Sequence, residues 1–222
     1  MPGSAAEEPA EVVEFPLIAE RLPGPPPKSL DPVLDATEAC IARHGLSKTT
    51  MSDIAREMGV VPSTVYRKVG SVENAALLVV GRETMRLLDR MPEVISGLKG
   101  PYTVTAFMAE SVKTFASHPT FSKVLRDDME WVARVVTRRL DALLGRGADL
   151  IAPMLEAAMD RGAIRPQDPT ALAHWLVRIA GVALMSPPPG DLRAALESLL
   201  LPMLDPRHPP SGPKPSSERE SR

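Results

Sequence analysis

An all-α fold is predicted by three features of this 222-residue chain. Apolar residues recur at three- and four-residue spacing along most of residues 29–205, with no strand-like alternation of useful length. Asp-Pro, Ser, Thr and Gly signals that start and stop helices punctuate those stretches. The composition is 44% apolar but only 4% aromatic, so Leu, Ala, Val and Met must fill the core. This length fits a small three-helix headpiece at 29–72 and a larger helical domain at 73–205. Residues 1–28 are acidic and rich in Pro, Ala and Gly, and 206–222 are rich in Pro, Ser and charge. Neither segment can bury enough apolar surface to order itself, so a disordered arm and tail are expected. Arms that enter a DNA minor groove are basic, which excludes that role for this acidic one.

Along the chain, Asp31-Pro32 supplies a cap and a first-turn proline for the first helix, which ends near His44-Gly45 and carries Cys40 on its apolar face. Thr50 caps the second helix, and Asp53 three residues on completes a capping box. Ile54, Ala55 and Met58 form its apolar face. Gly59 makes the sharp turn, Val60 is expected to plug the corner, and Pro62 opens a third helix. Val65 and Val69 then face inward, leaving Ser63, Thr64, Tyr66, Arg67 and Lys68 outward. A short hydroxyl-rich and basic helix held across a tight turn is the arrangement that reads DNA in the major groove. The alternative is an ordinary helical hairpin with a solvated face.

Ser71 caps a fourth helix through Leu77, Leu78, Met85 and Leu88, expected to stop before Pro92. A fifth runs from Pro101 to Ser117, and a short sixth covers Pro119–Arg126. A seventh spans Asp127 to about Leu144, with Asp127-Asp128 as its cap, and an eighth covers about 148–161. Asp168-Pro169 starts a ninth that ends at Pro187-Pro188-Pro189. A tenth runs from Asp191 to Leu204.

Net charge is −2, which argues against non-specific coating of nucleic acid but leaves room for a local basic face. Within 28–72 six basic residues (Lys28, Arg43, Lys48, Arg56, Arg67, Lys68) meet five acidic ones (Asp31, Asp35, Glu38, Asp53, Glu57), so arrangement must do what total charge does not. Cys40 is the only cysteine and excludes an intrachain disulfide. No secretory signal opens the sequence, and its most apolar later stretch, 171–185, is too short for a bilayer and is broken by His174 and Arg178. A cytoplasmic protein is expected. His44, His118, His174 and His208 have no partner at metal-ligand spacing, and phosphate-loop, nucleophile-elbow and dinucleotide motifs are absent. Neither metal, cofactor nor catalysis is therefore expected.

The order Val33-Leu34-Asp35-Ala36-Thr37, Gly45, Thr50-Met51-Ser52-Asp53-Ile54-Ala55, Gly59-Val60 and Thr64-Val65-Tyr66-Arg67-Lys68-Val69 resembles the headpiece of the TetR/AcrR family of transcriptional regulators. The resemblance covers about residues 30–80. It departs from the family at Val69, where Phe is frequent, and at Val72, where a Lys would supply a phosphate contact. It implies a DNA-binding regulator, most readily a repressor, with Thr50, Ser63, Thr64, Tyr66, Arg67 and Lys68 at a double-stranded DNA operator. It further implies a homodimer through a four-helix bundle formed near 148–186, with recognition helices roughly 34 Å apart. Ile151, Met154, Leu155, Ala158 and Met159, with Leu172, Trp175, Leu176, Ile179, Ala183 and Leu184, make compatible apolar stripes, and Gly181 permits close approach. The C-terminal domain would be a ligand-binding and dimerisation domain, with Phe107, Met108, Phe115, Phe121, Met129, Trp131 and Trp175 as candidate lining for a small apolar effector. A TetR-like regulator without an effector, or a helical-bundle carrier or enzyme with a chance headpiece, are the alternatives.

Overall fold

The computed structural model describes residues 26–207, with side chains described outside 135–143. Most of the acidic arm, His208 and the rest of the tail, for which disorder is expected, lie outside the described residues. A 3-10 turn at Lys28–Leu30 leads into α1 (Asp31–His44), α2 (Met51–Met58), α3 (Pro62–Val69), α4 (Val72–Val94), α5 (Pro101–Ser117), α6 (Pro119–Asp127), α7 (Met129–Asp160), α8 (Pro169–Met185) and α9 (Leu192–Leu204). No strand occurs among the described residues.

The start signals act as predicted at most helices. Thr50 Oγ1 accepts from the Asp53 N–H at 3.1 Å while the Asp53 carboxylate accepts from the Thr50 N–H at 3.0 Å, closing the capping box. Ser71, Asp168 and Asp191 cap α4, α8 and α9 through first-turn amides. Gly59 takes the left-handed conformation at φ 67°, and Pro62 opens α3.

Four expectations are corrected. Asp31 is inside α1 rather than its cap, because the preceding 3-10 turn already delivers the chain and frees its carboxylate for Arg82. Val60 is exposed, and the headpiece interior is closed by the fully buried Val65 and Ile54 instead. Helix α4 continues through Pro92 to Val94, since a proline in the last turn forfeits only one hydrogen bond before the helix ends. The predicted seventh and eighth helices are one continuous α7. Glycine at 147 does not break it: a Cβ there would lie 3.0 Å from Val177 Cγ1, so the glycine lets α7 and α8 pack closely.

Two larger cores and a joint follow from these faces. The headpiece core joins Val33, Leu34, Ala36, Cys40, Ile54, Ala55, Val65 and Val69 to Ala75, Leu78 and Val79, so it extends past residue 72 into α4. The second core packs Val104 and Met108 of α5 against Ile151 and Leu155 of α7, Leu172 and Leu176 of α8, and Leu196, Leu200 and Leu204 of α9. The joint brings Ile41 and Leu46 of the headpiece onto Ala76 of α4 and Val124 of α6, with Trp131 and Val132 packed against the cluster. Arg82 binds α4 to α1 within the first of these parts. Its buried guanidinium lies 2.8 Å from Asp35 Oδ1, 3.1 Å from Glu38 Oε1 and 3.3 Å from Asp31 Oδ1. Burial alone would lower its pKa, but the Glu38, Asp31 and Asp35 carboxylates outweigh that and raise it, so the charge is permanent.

Candidate nucleic-acid interface

Helix α3 presents two chemically distinct sides. Val65 and Val69 are fully buried in the headpiece core, which fixes the roll of the helix. Ser63, Tyr66 and Arg67 are then exposed, Tyr66 to 53%, and Thr64 and Lys68 are half-buried at the edge. Thr50 is exposed at the start of α2, on the capping box described above. All six predicted DNA-contacting residues therefore reach solvent. Charge is arranged rather than merely present. Arg56 pairs with Asp53 at 2.8 Å and Arg43 pairs with Glu57, whereas among the described residues no ion pair engages Lys48, Arg67 or Lys68. These three cations stand on α3 and ahead of α2. Val61, at the entry to α3, is also exposed and sets an apolar side chain beside that face, for which pattern reading has no signal.

The predicted effector residues fall in several parts of the described structure. Phe107 and Met108 belong to the core formed by α5 and α7–α9. Phe115 meets Phe121 in a tilted ring contact with centroids 5.1 Å apart, and Phe121 packs against the headpiece core. Trp131 lies in the joint, while Met129 and Trp175 are exposed, Trp175 to 63%. Two clefts of about 450 and 570 Å³ contain none of the seven.

A carboxylate outside the motif reaches the turn that follows α1. Asp128 sits where a cap for α7 is expected, but its side chain makes no cap bond. Its oxygens instead accept from the Leu46 N–H at 2.7 Å and the Ser47 N–H at 3.1 Å, in the turn between α1 and α2. Burial alone would raise its pKa; the hydrogen bonds from Ser47 and Leu46 more than offset this and hold it below the usual carboxylate range. Glu38, Glu83 and His118 also converge, their ligand atoms within 4.8 Å, but Arg82 is the cation among them, 3.1 Å from Glu38 and 3.8 Å from Glu83.

Residues 33–71 match the family of bacterial regulatory proteins, tetR family. The headpiece is of the TetR type. No curated protein matches the sequence significantly. Solved structures share the fold. A TetR-family transcriptional regulator from Pectobacterium atrosepticum is 18% identical, with a TM-score of 0.60 over 80% of this chain and 94% of that one. The TetR family repressor AlkX from a Dietzia strain, implicated in biodegradation of n-alkanes, is 19% identical, with a TM-score of 0.57 over 78% and 93%. The fatty acid degradation regulator FadR from Bacillus halodurans is 19% identical, with a TM-score of 0.53 over 83% and 99%. TetR-family regulators bind operator DNA as dimers and are not enzymes. Among the described residues no helix is long and apolar enough to cross a membrane.

Proposed function

We propose that this TetR-family regulator is a homodimeric repressor released from its operator by an apolar small molecule. The observation that carries the DNA-binding half is the α3 face: Val65 and Val69 anchor it while Tyr66 and Arg67 stand exposed beside Lys68. In this reading Tyr66 and Thr50 position phosphates, and Ser63, Thr64 and Arg67 approach base edges, with Lys68 adding charge at the groove. The dimer face is the outer side of α8, where Trp175, Val182 and Met185 are exposed, with Met154 exposed on neighbouring α7. Gly181 on α8 has nothing of its own protomer within 4 Å of a Cβ position. Such an apolar surface, on a chain with a single helix-turn-helix, fits a two-fold partner. Support for an apolar effector comes from the Leu-, Met- and Phe-containing interior of the C-terminal domain and from FadR and AlkX, whose names concern fatty acids and n-alkanes. A second reading, a regulator without effector, draws on the packing of Phe107 and Met108 into that core.

The test is selection of bound duplexes from a random pool by the full chain, followed by gel shift with a panel of fatty acids and alkanes. Recovery of a palindromic sequence, shifted as a dimer and released by one panel member, is the expected result. Recovery without release supports the fixed regulator; no recovery rejects the DNA-binding reading.

A further inference from the structure

Asp128 lies 82 and 81 positions from Leu46 and Ser47, yet its carboxylate reaches from the α6–α7 junction and accepts from both amides. The residue is only 5% exposed. The turn is shaped around that carboxylate. Gly45 has φ +83°, and a Cβ on it would lie 2.9 Å from Asp128 Oδ2, so only glycine fits beside the charge. From there a chain of bonds leads to the DNA side. The Thr49 hydroxyl donates to the Gly45 carbonyl at 2.7 Å, and the Thr49 N–H donates to the Leu46 carbonyl at 3.2 Å. The next residue, Thr50, caps α2. Exposed Lys48 stands in the same turn. On the other side Asp128 begins α7: its carbonyl accepts from the Trp131 and Val132 amides, and both of those side chains pack on the joint.

We infer that Asp128 is a positioning residue for DNA binding, holding the α1–α2 turn so that Lys48 and Thr50 meet the phosphate backbone. Displacing the first turn of α7 then displaces the first turn of α2. The inference rests on the DNA-binding reading above.

The experiment compares the full chain with its Asp128→Asn and Asp128→Glu variants on duplex DNA selected by the wild type and on random duplex. Asn offers one acceptor oxygen where two are used, and Glu keeps the charge but adds a methylene to a space already tight against Gly45. Each folded variant should lose about tenfold in operator affinity, the effect of a buried donor left unpaired and a turn displaced. Random DNA should lose the same factor, because backbone contacts carry no sequence information. Amide exchange should quicken at Leu46 and Ser47 while α3 stays protected. Operator affinity within twofold of wild type, or a specificity ratio that collapses because α3 has loosened, overturns the inference. So does failure of both variants to fold, which makes Asp128 a purely structural group. A wild-type chain that selects no DNA rejects the DNA-binding reading instead.

Discussion

Tyr66 and Arg67 stand side by side on α3 but offer DNA different chemistry. A phenol hydroxyl gives a phosphate one hydrogen bond, whereas a guanidinium can engage two acceptors on a guanine edge. Tyr66→Phe should therefore weaken operator and random DNA about equally. Arg67→Ala should cost about 1–3 kcal/mol on the operator and relax base choice at one position. Gel shifts on both DNAs separate the two outcomes, and unchanged affinity in both variants removes the assignment. These residues are legible in the sequence because the core-facing Val65 and Val69 fix the helix roll by periodicity alone. Asp128 is not, since its partners lie across the fold and local pattern suggests only a cap. Its ionisation carries a separate prediction. A carboxyl held below its unfolded value, about 3.9, stabilises the fold above that pH and ceases to do so as pH falls through the folded value. Thermal unfolding followed from about pH 6 to about pH 3 should show a loss below about pH 4 that is shallower in Asp128→Asn. Equal slopes would mean another carboxylate governs the acid limb.

At the scale of elements, caps and turns are readable and continuity is not. Thr50, Ser71, Asp168 and Asp191 each satisfy amides of their own helix, a local arrangement that neighbouring residues announce. Gly147 reads locally as a break, but its lack of a side chain is used by Val177 on another helix, which no local signal reveals. Periodicity likewise merges the two faces of α8 into one apolar circumference. The structure separates them: Leu172 and Leu176 are core, and Trp175 and Val182 are outside. That separation sharpens the dimer proposal. Val182→Glu adds a charge to the exposed face and should give folded monomers by light scattering and circular dichroism. Leu176→Glu buries an unpaired charge and should unfold the domain instead. Folded Val182→Glu that remains dimeric would place the interface elsewhere.

For the whole molecule the governing geometry is that the headpiece meets α6 and the start of α7 at a small third cluster against which Trp131 packs, while the C-terminal core gathers α5 and α7–α9. A ligand held in the C-terminal domain can alter DNA affinity only by favouring one arrangement of the headpiece over another. A tenfold fall in operator affinity needs about 1.4 kcal/mol of coupling, well within the usual range. Linkage then requires operator DNA to weaken the ligand by the same factor. Trp131 at the joint and Trp175 on the outer face of α8 are the chain's two tryptophans, so emission changes are attributable by Trp175→Phe. For a fatty acid or alkane found by thermal shift, emission from Trp131 should change on binding. The ligand's dissociation constant should rise by the same factor when saturating operator is present. A ligand that binds free and DNA-bound protein equally has no differential affinity to transmit, whatever its occupancy, and the chain would then act as a fixed regulator.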